Sequence, residues 1–167
     1  VIFETINHVQ LSGDIGGWSD NPYLDRNGGP CRWPGEYWMN PQVVTIGRKR
    51  LDYIVARWGD SPAVQSWNYI SEPDIVHNNV WQAVKPHIYA ALAYMKERDP
   101  YPRLTTNQLN FSIQDLTFFD PPQMEFIHAN AYPGMRGFSD EQAQAIRDFA
   151  LVFKRFPKPV LVSEYGG

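Results

Sequence analysis

At 167 residues the chain is long enough for one substantial core and too short for two ordinary domains. A hydrophobic share of 43% argues against disorder, and a net charge of −3 without any basic run argues against nucleic acid as a partner. No apolar stretch reaches the roughly 18 residues needed to span a membrane, and a single cysteine, Cys31, rules out an internal disulfide.

Short β-branched runs alternate with longer segments of helical period. Val1–His8 reads as a strand already under way, with no charged leader region of a secretory signal before it. A loop from Leu11 to Met39 follows, dense in Gly, Pro, Asn and Trp, and a loop of that length within one domain usually serves function. Val44, Leu51, Val55 and Trp58 then share one helical stripe, with Gly59 as the stop. Val64–Ser71 is the second strand. Ile88, Leu92 and Met95 mark a second helix that ends before Pro100 and starts or kinks at Pro86. Arg103–Asn107 is the third strand, Ser112–Phe119 a short helix, and Met124–Ala129 the fourth strand. Ser139 and Gln142 are spaced as a capping box for a third helix carrying Ile146, Phe149, Ala150 and Phe153. Pro159–Ser163 closes the series as a fifth strand.

The alternation of strand and helix predicts an α/β fold with a parallel sheet. Two of its strand-like runs end on acids, at Ser71-Glu72-Pro73 and at Ser163-Glu164-Tyr165-Gly166. A carboxylate at the end of a buried strand does little for folding and is well placed for chemistry. Two of them form the pair that glycoside hydrolysis uses, one as acid and one as nucleophile. Geometry then selects the type of sheet. Strands three apart in a flat sheet hold such groups roughly 14 Å from each other, at about 4.8 Å per spacing. Across the mouth of a closed barrel they converge, at the C-terminal strand ends where active sites of such barrels lie. Strand alternation places Glu164 on one face with Val162 and Val160.

At these residues the chain resembles the retaining glycoside hydrolases with a (β/α)8 barrel, such as the family 5 cellulases and mannanases. Ser71-Glu72-Pro73 is similar to the Asn-Glu pair that closes strand four of that family. Ser163-Glu164-Tyr165-Gly166 is similar to the Glu that closes strand seven. Leu51–Gly59 running into Val64–Trp67 resembles the approach to strand four in cellulase-like members. Trp18 and Asn21-Pro22-Tyr23 resemble the loop after strand three, and Phe126–Pro133 resembles strand six with its Tyr. The chain departs from the family at Ser71, where Asn is usual, and at Asn130-Ala131-Tyr132-Pro133, where His-x-Tyr-Pro is common and His128 stands two residues earlier.

The resemblance implies that residues 1–167 are part of a catalytic (β/α)8 barrel, covering about strands three to seven. Strands one, two and eight would come from further sequence or another chain. It implies retaining hydrolysis of a β-linked poly- or oligosaccharide, with Glu164 as nucleophile and Glu72 as acid and base, and with no cofactor. Tyr132 would hold the nucleophile. Ser71, His128, Asn130, Trp18 and His8 are the further candidates for contact with substrate. An extracellular location is expected from the polymeric substrate class. A carbohydrate-binding barrel without turnover is the alternative, given Ser71 and Asn130. Trp33, Trp38 and Trp67 read as packing residues, and Asp74 and Asp120 as caps or turn residues.

Overall fold

Six short strands run parallel in the computed structural model, which describes residues 1–13, 16–76, 80–110, 115–134 and 139–166. They are β1 (Ile2–Ile6), β2 (Ser66–Ile70), β3 (Leu104–Thr106), β4 (Gln108–Leu109), β5 (Ile127–Ala131) and β6 (Val160–Tyr165). Each of the five expected strands is present, within a few residues of its expected limits. Pairing follows chain order, β1-β2-β3 in one sheet and β4-β5-β6 in a second. Only Asn107 separates β3 from β4, so one extended stretch pairs with β2 through its first half and with β5 through its second. Side chains bridge the opening between β2 and that second half. Asn107 Oδ1 accepts from the Ile70 N–H at 3.0 Å, and Asn68 Oδ1 accepts from the Gln108 N–H at 2.9 Å. Amide side chains thereby satisfy backbone donors that a ladder would otherwise take. The result is a partial α/β fold of two three-stranded parallel sheets, consistent with a fragment of a larger barrel-like domain.

Helix α1 (Pro41–Trp58) starts where Asn40 accepts from the Gln42 N–H and Pro41 supplies a preset φ, and Gly59 caps its end. It buries Val43, Leu51, Ile54 and Val55. Val44, expected on that stripe, stays 41% exposed at the cleft between α1 and α2, where neighbouring Gly47 brings no side chain to fill the space.

Helix α2 (Trp81–Arg98) buries Val84, Ile88, Leu92 and Met95, and packs against α1, β2, β3 and the 3₁₀ turn Pro34–Trp38. It begins at Trp81, five residues before Pro86, so of the two expectations the helix does not start at that proline. Pro86 leaves the Gln82 carbonyl without its helical donor, at a position where both residues are exposed to solvent.

Helix α3 (Gln142–Phe153) presents Ala145, Phe149 and Phe153 to β5 and β6. The expected capping box does not form. Ser139 Oγ accepts from the Glu141 N–H two residues on, a turn that delays the helix until Gln142, with Glu141 as its N-cap. Ala150 of the expected stripe is exposed. Of the short helix expected over 112–119, a 3₁₀ turn at Leu116–Phe119 is present, and residues 112–114 lie outside the described residues.

The long loop packs into the same core as the strands and helices. It holds 3₁₀ turns at Asp25–Asn27 and Pro34–Trp38 and buries Leu11, Trp18, Tyr23, Leu24, Cys31, Tyr37 and Trp38. Gly29 is required there, since a Cβ at this position would sit 2.2 Å from the Tyr23 backbone.

Candidate active site

Glu72 leaves β2 in a left-handed conformation, φ 43° and ψ 49°, the one positive φ outside glycine among the described residues. Such a backbone costs about 1–3 kcal/mol and is concentrated at functional sites. Pro73 follows as the first residue of a 3₁₀ turn, Pro73–Ile75, which takes the chain off the sheet at once. Glu72 is 7% exposed, and its side chain is held by two amide donors on one oxygen. Asn130 Nδ2 lies 2.5 Å from Oε1 and Asn110 Nδ2 lies 2.7 Å from it. Oε2 faces His8 Nδ1 at 3.4 Å. His8 follows β1, and its backbone N–H donates to Ser71 Oγ at 3.2 Å, while its Nδ1 is 3.3 Å from the same hydroxyl. Asn110 is itself fixed, because its N–H donates to Asp74 Oδ1 at 2.9 Å.

Glu164 enters from β6 by an irregularity that alternation does not foresee. Ala129 pairs with Val162 and Ala131 with Tyr165, so Ser163 and Glu164 together stand opposite Asn130. This is a bulge of one residue, and it re-aims a side chain. Both Ser163 and Glu164 reach the polar groups of β4 and β5. Ser163 Oγ donates to Asn130 Oδ1 at 3.0 Å, and Gln108 Nε2 donates toward Glu164 Oε1 at 3.3 Å. The expected sharing of a face with Val160 and Val162 is therefore overturned. Those two pair with Ile127 and Ala129, on the opposite side of β5 from Asn130.

Tyr132 completes the surroundings of Glu164. Its hydroxyl donates to Glu164 Oε2 at 2.6 Å. Burial pushes the Tyr132 pKa up, as do the hydrogen bond and charge of Glu164 and the charge of Glu72, so the hydroxyl keeps its proton. His128, two residues before Asn130 on the same face, is 4% exposed, and burial lowers its pKa to about 4 against the opposing charge of Glu164. It is a neutral ring stacked on Phe126, 6.0 Å between centroids, beneath the carboxylates.

The structure thus brings Glu72, Glu164, Ser71, His8, Asn130 and Tyr132 into one cluster at the C-terminal strand ends, with His128 a layer below. Trp18 does not join it. That ring is 7% exposed inside the long loop, packed rather than presented to a ligand. Gln108, Asn110 and Ser163 belong to the cluster and were not foreseen, because single Asn, Gln and Ser residues carry no period. Among the described residues no group of three or more His, Cys, Asp or Glu is placed to hold a metal ion, and no helix is long and apolar enough to cross a membrane. A cavity of about 520 Å³ lies elsewhere, between the end of β1, α1 and the long loop. Glu164 instead sits at an open edge, since β6 is largely exposed, whereas Glu72 at the end of β2 is buried.

No protein-family profile matches the chain. Its sequence is similar to mannan endo-1,4-beta-mannosidase F of Aspergillus clavatus, with 25% identity over 91% of this chain and 39% of that protein. Among solved structures, the fold is similar to the hyperthermostable endo-1,4-beta-D-mannanase from Thermotoga petrophila RKU-1. That match has a TM-score of 0.68 at 15% identity and covers 99% of this chain and 54% of that one. It is also similar to Bifidobacterium dentium beta-glucuronidase, with a TM-score of 0.60 at 20% identity over 78% of this chain and 21% of that one. The chain thus spans about two fifths of the curated relative, about half of the mannanase and about a fifth of the glucuronidase. Its fold is one shared by glycoside hydrolases of more than one activity.

Proposed function

We propose that the chain supplies the two catalytic carboxylates of a retaining glycoside hydrolase acting on a β-linked polysaccharide, with a β-1,4-mannan as the first substrate to test. The mechanistic part rests on one observation above all. Glu72 and Glu164 stand at the ends of parallel strands in a single hydrogen-bonded cluster, each held by different donors. The mannan assignment rests on the two mannanases, whose likeness covers 91% and 99% of the chain.

Glu164, held by the Tyr132 hydroxyl, attacks the anomeric carbon. Glu72 gives a proton to the departing glycosidic oxygen, leaving a glycosyl ester on Glu164. Glu72 then takes a proton from water, which displaces Glu164 and restores both groups with net retention. Two amide donors occupy Glu72 Oε1, so the transferable proton belongs on Oε2, which faces His8. No step requires a cofactor, and a polymeric substrate places the working protein outside the cell.

In the complete protein, Glu164→Gln abolishes cleavage of an aryl β-glycoside while oligosaccharide binding persists. Glu72→Ala keeps the first step, because an activated leaving group needs little protonation, and it accumulates the glycosyl ester. Azide then restores turnover and yields the β-glycosyl azide, since that nucleophile needs no general base. Full activity in both variants would refute the assignment. A second reading, a carbohydrate-binding barrel without turnover, draws on Ser71 and Asn130 standing where the family carries Asn and His. Oligosaccharide binding with no cleavage of any β-glycoside by the wild type would establish it.

A further inference from the structure

The cluster contains a link between its two carboxylates that their roles alone do not demand. Gln108 is 5% exposed on β4 and pairs with His128, one layer below the acids. Successive residues on one face of a strand are separated by about 6.6 Å, so a side chain must climb to meet the layer above. Gln108 does so. Its Nε2 lies 3.0 Å from Asn130 Oδ1, 3.0 Å from Ser163 Oγ and 3.3 Å from Glu164 Oε1. Asn130, wholly buried, then offers its own Nδ2 to Glu72 Oε1 at 2.5 Å.

The orientation of the Asn130 amide follows from its neighbours. Its oxygen side meets two donors, the Ser163 hydroxyl and the Gln108 amide. Its nitrogen side meets the Glu72 carboxylate. Turned over, Asn130 would set an oxygen against a carboxylate and an NH₂ against an NH₂, leaving buried groups unpaired on both sides. The donors on the Gln108 side thereby decide that Glu72 receives an N–H rather than a carbonyl.

Resting on the retaining reading above, we propose that Gln108 is a positioning residue, which fixes the Asn130 amide and so ties the acid Glu72 to the nucleophile Glu164. Being amides, Gln108 and Asn130 carry this link without titrating themselves. The bulge in β6 is a condition for it, because the bulge brings both Ser163 and Glu164 within reach of Gln108. Shape alone does not replace the link. Met has the length of Gln and no donor, and Asn has the donor but lacks the reach.

The test uses the complete protein with Gln108→Met, Gln108→Asn and Ser163→Ala. With an aryl β-glycoside, Gln108→Met lowers kcat about ten- to a hundredfold, the loss expected for a hydrogen bond to a charged group. KM changes little, and the acidic limb of the pH–rate profile moves to higher pH, because the ionised nucleophile has lost a donor. Gln108→Asn behaves as Gln108→Met, and Ser163→Ala loses less, since Gln108 still holds Asn130. The carboxyl 13C signals of Glu72 and Glu164, followed by NMR against pH, read the same link without turnover, and Gln108→Met displaces both curves. Unchanged curves and an unchanged pH profile in a folded Gln108→Met variant would overturn the proposal. If the wild type cleaves no glycoside, the retaining reading fails on that result, and the NMR curves still decide whether Gln108 couples the two acids. If Gln108→Met does not fold, Gln108→Asn decides, since its shorter amide also breaks the link to Asn130 and Glu164, and unmoved Glu72 and Glu164 curves there overturn the proposal.

Discussion

Tyr132 and His128 lie four residues apart on one face of the β5 segment, and burial holds both uncharged. For Tyr132 this preserves a donor to Glu164, since the hydroxyl pKa is pushed up by burial and by the carboxylate beside it. For His128 it is a cost to stability under acid conditions. His87 is treated in the same way. It lies among Tyr37, Trp38 and Tyr69, has its Nε2 within 3.0 Å of the Tyr69 hydroxyl, and has its pKa lowered to about 4 by burial. The unfolded chain binds a proton at each ring below about pH 6.5, whereas the folded one does not until about pH 4. The unfolded state therefore holds more protons across that window, and stability falls as pH drops from about 6.5 to about 4. A full shift from 6.5 to about 4 corresponds to about 3 kcal/mol per histidine as an upper figure. Urea unfolding of the complete protein at stepped pH checks this. His87→Gln flattens the slope by the share of one ring, and a slope unaltered by that change would show that His87 does not titrate on unfolding.

At the scale of elements, Pro86 gives the clearest test of local physics. A proline in the second turn of α2 forgoes the bond to the Gln82 carbonyl, at a site open to water. Pro86→Ala restores that bond and raises stability by about 1–2 kcal/mol, less than the full interior penalty of about 3 because the carbonyl is open to solvent and alanine loosens the unfolded chain. Thermal melts of both forms read it, and an unchanged or lower midpoint would refute it.

The same helix marks the limit of what its sequence reveals. Ile88, Leu92 and Met95 show its buried stripe, but Pro86 conceals the turn that precedes them. The strands were legible because short runs holding β-branched, aromatic and other apolar residues announce them. β4 was not, since Gln108–Leu109 is two residues long and Asn107 ends the readable run before it. Ser139 and Gln142 have capping-box spacing, yet Ser139 spends its hydroxyl on Glu141. Glu72 and Glu164 were legible as acids at strand ends. The bulge that aims Glu164 was not, because it is set by the register of β6 against β5 and leaves no mark in β6 itself. Gln108 and Asn110 matter only through partners 22 to 56 residues distant in the chain.

The whole molecule is asymmetric across its sheets. β2 and β5 are buried along their full length, while β6 is exposed or half-exposed at every residue. Leu161 pairs with buried His128 yet is 36% exposed, and Val160 beside it is 38% exposed. In a closed barrel the positions level with His128 face the interior, so a further strand beyond β6 is what would cover Leu161 and enclose Glu164. β1 leaves the other edge of the paired strands open. Unpaired parallel edges with apolar side chains invite association with other chains. Residues 1–167 expressed alone are therefore expected to aggregate or to bind a hydrophobic dye, and to cleave no glycoside. Supplying the remainder of a larger barrel-like domain, in one polypeptide or as a second chain, should give a monodisperse species with a cooperative melt. Size-exclusion chromatography with light scattering, followed by calorimetry, reads both states. A monodisperse monomer of residues 1–167 that melts cooperatively would show that these two sheets need no further strands.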